Sequence, residues 1–339
     1  MAWRKFRGWG RSPIRDRNSG KGRVARARST SVRLVATISS NIVLMMPFML
    51  GQAEFSDPPW LTQPMLEWAL DGVGGLTCLA VLIHWRRRRR DPLRGAPLRP
   101  NRLEPLSVVA LVGFYFFVVG LMSMVAHTGS SATDEPSPED KLRLAMMQPV
   151  VALMSGVACL VLGRWSFRAG LRGMGFGRRA VWRDLGFALF AYIAAAPLLR
   201  GLYYVSVLVI EAARPEFTPP DHQTLDLLRQ PETTVAIKAW LIVGAAVIAP
   251  FSEEVFFRGI LQTVIRGILG SRWAAIGCTG LIFGLIHMSQ PQAVLPLAMF
   301  GCVLGYAYER TGSLLCPILL HALFNTVSLA VSLFLDPIS

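Results

Sequence analysis

The sequence predicts an all-α fold, a polytopic transmembrane helix bundle of about eight to nine spans. Three observations lead there. Apolar residues make up 53% of 339 residues, and mean hydropathy is +0.43. Apolar runs of about 17 to 23 residues recur between short charged links, the length a helix needs to cross a bilayer. Those links alternate in sign: basic ones stay with the cytoplasm and acidic ones face outward. The net charge of +14 falls where membrane topology puts it, which argues for the lipid bilayer as partner and against nucleic acid. The five cysteines (Cys78, Cys159, Cys278, Cys302, Cys316) lie inside apolar runs without a Cys-x-x-Cys pair, and read as small apolar residues.

Residues 1–33 hold eleven Lys or Arg against Asp16 alone and form a disordered basic cytoplasmic arm suited to anionic headgroups. Residues 34–234 form the N-terminal transmembrane helices with their charged loops. The first span covers Leu34–Leu50, and Gln52-Ala53 after it offers a cleavage point, although an uncleaved anchor is expected. The second, Met65–Ile83, runs into Arg86–Arg90, with Arg94, Arg99 and Arg102 beyond it; this block is read as topological, with no catalytic part. Spans follow at Leu106–Ala126, Leu144–Leu162 and Leu185–Ile210, the last leading to an acidic outer loop, 211–234, able to fold over an opening as a short helix. The sixth helix starts near Val235, the seventh near Arg272, the eighth ends at Glu309-Arg310 and the ninth reaches Leu335. The N-terminus is therefore expected inside, in a layout that suits a bacterial inner membrane.

The chemistry is expected in residues 235–339. Glu253 and Glu254 sit in an apolar run with Arg258 one turn on, and ionisable groups at bilayer depth mark function. Glu254 and Arg258 are an i, i+4 pair that can neutralise each other, while Glu253 points about 100° away. With Gly270 as the turn between helices six and seven, Glu253 lies 17 residues before it and His287 17 after, so the two can meet. His321 lies only 9 residues past Gly312, which leaves it roughly 12 Å short unless the six–seven turn projects beyond the membrane. Helices six and seven are thus expected to be long on the inner side. His84 and His127 abut span ends, and His222 lies in a loop.

A carboxylate with an adjacent imidazole can hold and deprotonate water, and a second imidazole with an amide donor can stabilise an oxyanion. Ser252 has no nucleophile-elbow setting. No cofactor is expected; the alternative is zinc held by the same histidines and glutamates, although no His-Glu-x-x-His helix is present.

Glu253-Glu254-x-x-x-Arg258, Phe283-x-x-x-His287 and His321-x-x-x-Asn325 resemble, in order and composition, the three motifs of the CAAX-processing and bacteriocin-immunity (CPBP, or Abi) intramembrane proteases, relatives of the type II CAAX prenyl endopeptidase. The resemblance covers about residues 235–335. It implies an intramembrane glutamic endopeptidase acting on a membrane-associated or lipidated protein. Glu253 would be catalytic with His287 on the water, and His321 and Asn325 would form the oxyanion side. Glu254, Arg258 and Phe283 would support them. The rival readings are a zinc metalloprotease, a non-enzymatic membrane immunity or scaffold protein, and a transporter, for which no internal repeat is found.

Overall fold

The structure, a computed structural model, describes residues 63–88, 91–126, 138–177, 181–217 and 223–334. The basic arm 1–33, the first span 34–50, His127 and His222 lie outside the described residues. Ten helices build the rest: α1 (Gln63–Arg88), α2 (Pro105–Ala126), α3 (Pro138–Ser166), the short α4 (Gly170–Met174), α5 (Val181–Ala213), the short α6 (Gln223–Arg229), α7 (Val235–Leu269), α8 (Arg272–Leu285), α9 (Pro291–Thr311) and α10 (Leu315–Phe334). Among the described residues there is no strand, only an isolated bridge between Asn101 and Phe167.

Among the described residues six helices are long and apolar enough to cross a bilayer, and shorter apolar stretches lie at Gly72–His84 and Arg272–Leu285. Phe116, Phe117, Leu208 and Val209 are about two-thirds exposed, as side chains facing lipid are. This is an integral, multi-pass membrane protein. The basic links gather at one end of the bundle. There Arg99 bonds Glu309, Arg272 bonds the Leu93 and Ala96 carbonyls, and the Tyr308 hydroxyl donates to Met174 O. At the opposite end the acidic loop, whose form the sequence left open, contains α6, which packs Leu227 and Leu228 with Ala145 and Leu241.

Local chemistry sets the boundaries around the C-terminal helices. Thr234 and Ser271 cap α7 and α8, their hydroxyls accepting from Ile237 N and Ala274 N. Gly270 and Gly312 end α7 and α9 at φ 64° and 69°, a region that favours glycine, so both expected turns stand where the sequence puts them.

The expectation of two long helices is half met. At 35 residues, α7 spans about 52 Å, well beyond the hydrocarbon thickness. α8 has 14 residues, about 21 Å, and stops at Leu285 instead of rising past His287. Pro291, fixed as the first residue of α9, turns the chain back through a four-residue turn and bend. α8 and α9 pack with their backbones almost touching: a Cβ on Gly280 would lie 2.8 Å from Ala298 O, and one on Gly284 2.7 Å from the Ala298 Cβ. Small residues at fourfold spacing permit this approach between helices in lipid.

Gly284→Ala is therefore expected to cost about 1–3 kcal/mol by forcing α8 from α9. Gly267→Ala, where an added Cβ meets nothing within 4 Å, should cost nothing. Thermal unfolding of the two purified variants in detergent checks the contrast.

Candidate functional site

α7 is not a regular α-helix. A single α-helical stretch, Ala249–Glu254, lies between π-helical segments of five residues (Gly244–Ile248) and seven (Val255–Leu261). Such wide turns concentrate at functional sites, and they fit more residues into a given rise than an α-helix does. The deficit of roughly 12 Å reckoned for His321 is absent: its Nδ1 lies 2.9 Å from Glu254 Oε1.

Glu254 and Arg258 are both fully buried. Glu254 Oε1 accepts from Arg258 Nη1 at 3.0 Å and from His321 Nδ1. The second Arg258 nitrogen, Nη2, donates to Gly301 O at 3.0 Å, and the guanidinium lies over the Phe283 ring, 5.0 Å from its centroid. The i, i+4 pair read from sequence is thus one edge of a larger network, with α10 as a third party.

His321 is buried by Phe283 and Phe300, whose rings meet it edge-on at 5.6 and 5.5 Å. A carboxylate paired with a guanidinium only accepts, so Nδ1 of His321 carries the proton shared with Glu254. Its Nε2 faces Glu253 Oε2 at 4.0 Å. The Glu253 side chain is 32% exposed.

His287 lies in the turn after α8. Its Nδ1 is 2.8 Å from Phe283 O, and because a carbonyl only accepts, Nδ1 is the protonated nitrogen and neutral Nε2 is left as an acceptor. Phe283 contacts both imidazoles, its centroid 5.2 Å from His287 and 5.6 Å from His321. The direct meeting of Glu253 and His287 foreseen from equal spacing is not among the ion pairs of the described residues; His321 is the imidazole that approaches Glu253. The early end of α8 and the π turns of α7 both shift that register. Asn325 donates from Nδ2 to Ala245 O at 2.9 Å, in the first π segment, which commits one of its two amide hydrogens. Ser252 points away from the carboxylates into α3, where a Cβ on Gly156 would lie 2.8 Å from its Oγ.

Among the described residues no three His, Cys, Asp or Glu side chains converge as a metal-binding set. Glu254 is committed to Arg258, whereas His287 and His321 are each held through Nδ1 and keep Nε2, the nitrogen a metal would use.

Sequence reasoning passed over a second polar cluster, toward the arginine-rich end. Glu309 is fully buried and holds Arg99 at 2.6 Å, Arg266 at 3.3 Å and Arg272 at 3.5 Å. Arg99 had been read as part of a topological charge block; instead it is 8% exposed and stacks on Tyr308 at 3.8 Å. The stride of four from Glu254 through Arg258 and Gln262 to Arg266 was the available signal.

Removing one partner of a buried ion pair strands the other. Arg258→Met is therefore expected to destabilise by about 3–5 kcal/mol, and the double change Glu254→Leu/Arg258→Met to recover much of that loss. Thermal unfolding of the three proteins in detergent checks it.

With this geometry in hand, comparison with known proteins places the same segment. Residues 235–327 match the family model described as type II CAAX prenyl endopeptidase Rce1-like. An uncharacterized 24.3 kDa protein of Escherichia coli is 38% identical over 87 residues, which is 24% of this chain and 40% of that protein, so the chain spans well under half of that relative's length. No solved structure matches. The matched segment runs from the start of α7 through His321 and Asn325 and contains every residue of the buried network around Glu254. Residues 235–327 are thus similar to the type II CAAX prenyl endopeptidase Rce1-like family over the whole segment that carries the buried network.

Proposed function

We propose that the chain is an intramembrane endopeptidase that hydrolyses a peptide bond of a membrane-associated or lipidated protein, using water activated by Glu253 and His287 without a metal. The observation that carries this reading is His321 lodged between Glu254 and Glu253 in the bundle, with Phe283 in contact with the rings of both His321 and His287.

Glu253 is the general base. Water donates one hydrogen to its carboxylate and is oriented by the acceptor Nε2 of His287. Glu253 takes the proton as the hydroxide oxygen bonds to the scissile carbonyl carbon. The carbonyl oxygen becomes an oxyanion on the side of His321, where the second amide hydrogen of Asn325 meets it. On collapse the C–N bond breaks and protonated Glu253 returns its proton to the leaving amine. Glu254, neutralised by Arg258, fixes the His321 ring through Nδ1 and does not exchange protons.

The site stands 16 residues along α7 from Leu269, which lies at the arginine-rich end. A scissile bond must therefore enter the membrane interior, which suits a substrate tail carried by an apolar or lipid anchor. Cleavage of a fluorogenic farnesylated CAAX-type peptide, and of the same peptide without its prenyl group, tests the substrate class. Glu253→Gln and His287→Ala are expected to abolish cleavage in protein that remains folded. Asn325→Ala should leave a residual rate, lower by about 10²-fold as for loss of one oxyanion donor. Wild-type turnover in Glu253→Gln would end this reading, and loss of activity on chelation, restored by zinc, would replace it with the metalloprotease one.

A further inference from the structure

α7 and α9 run parallel, and their polar contacts keep one register. Arg258 Nη2 donates to Gly301 O at 3.0 Å, Gln262 Nε2 to Gly305 O at 3.2 Å, and Arg266 Nη1 to Glu309 Oε2 at 3.3 Å. Each contact joins residues 43 apart in sequence. Side chains four apart on α7 therefore meet positions four apart on α9, rung by rung, from the candidate site toward the arginine-rich end. Gln262 is fully buried and its amide also reaches Glu309 Oε1 at 3.4 Å, so it ties the middle rung to the lower one. Glu309 is in turn gripped by Arg99 and Arg272.

The register matters because the seven-residue π segment Val255–Leu261 separates Glu254 from Gln262. A π turn is a weak point in a helix, where the segment beyond it can rotate or slide relative to the segment before. Arg258 lies inside that segment, and only while Gly301 O stays in reach does its other nitrogen remain on Glu254. Glu254 Oε1 then remains on His321 Nδ1, and His321 Nε2 remains aimed at Glu253. Gly305 is what lets Gln262 reach the backbone of α9: a Cβ there would lie 2.7 Å from the Gln262 Oε1 atom, with its other neighbours at 3.5 Å.

We propose that Gln262, anchored below by Glu309, is a positioning residue: it locks α7 against α9 in the register that holds His321, through Arg258 and Glu254, toward Glu253. Its catalytic consequence rests on the protease reading above, whereas the register itself does not.

The test uses the full-length protein in detergent or nanodiscs, with the fluorogenic farnesylated peptide as probe. Gln262→Ala is expected to lower kcat about tenfold or more with KM unchanged, since small displacements of catalytic groups are that costly. Gly305→Ala, which pushes Gln262 off its rung, should reproduce the defect. In the Gln262→Ala background the same glycine change should add nothing, because the atom it strikes has gone. A folded Gln262→Ala variant with wild-type kcat would overturn the proposal, as would effects of the two changes that simply multiply.

A second readout needs no turnover. In histidine-labelled protein, the NMR ring signal of His321, identified by its loss in His321→Gln, should move in Gln262→Ala and in Gly305→Ala. An unmoved signal would sink the positioning role. Wild-type activity in Glu253→Gln would instead count against the protease reading alone, leaving the His321 signal to judge the register.

Discussion

A guanidinium with no exposure to solvent, in a helix interior and at membrane depth, dictates most of what surrounds it. Desolvating such a charge is tolerable only if a carboxylate, further acceptors and polarisable faces are all supplied by the protein. Arg258 receives them from different elements: Glu254 on its own helix, Gly301 O on α9 and the Phe283 ring on α8. α10 joins because Glu254, once fixed by the arginine, has a lone pair left for His321. The helices of the 235–327 domain are thus tied to one another through a single buried cation. Their mutual placement is set by its need for partners as well as by apolar packing, which in lipid gives helices little reason to choose one another.

The second constraint is the half-length α8. A helix of 14 residues cannot carry the chain across the bilayer, so the turn that follows lies at depth. Non-helical backbone there must be satisfied within the protein or line a wet cavity. The turn meets that demand locally, with His287 N on Gly284 O, Met288 N on Leu285 O and Gln290 N on His287 O. The close glycine contact with α9 keeps this short hairpin rigid, and Phe283 at its end holds the His287 ring through its carbonyl.

What was legible in the sequence follows from this physics. Glu253, Glu254, Arg258, His287, His321 and Asn325 were visible because ionisable and amide groups are expensive in lipid and because their spacing places them on definable helix faces. Gly270 and Gly312 were visible because a left-handed cap favours glycine. The π segments were not, since Gly244–Ile248 and Val255–Leu261 carry no composition that separates them from an α-helix; their wide turns go with contacts made elsewhere in the bundle. The premature end of α8 was hidden by Ile286 and Met288, which prolong the apolar run past Leu285. Arg99 was hidden in a charge block, and its partner Glu309 stood 210 residues away.

The network also separates the two neighbouring glutamates, which sequence alone leaves nearly equivalent. Glu254 has one oxygen carrying both an arginine and an imidazole hydrogen bond, and protonating it would break an ion pair with no water to replace the loss. Glu253 carries no arginine, keeps about a third of its side chain open at 32% and faces only the Nε2 of His321. A proton can arrive on Glu253 and leave again at the cost of that one contact, so in the proposed reaction proton transfer belongs to Glu253 and constancy of charge to Glu254. Adjacent positions on one helix acquire opposite duties because a rotation of about 100° turns one toward the buried cation and leaves the other partly exposed.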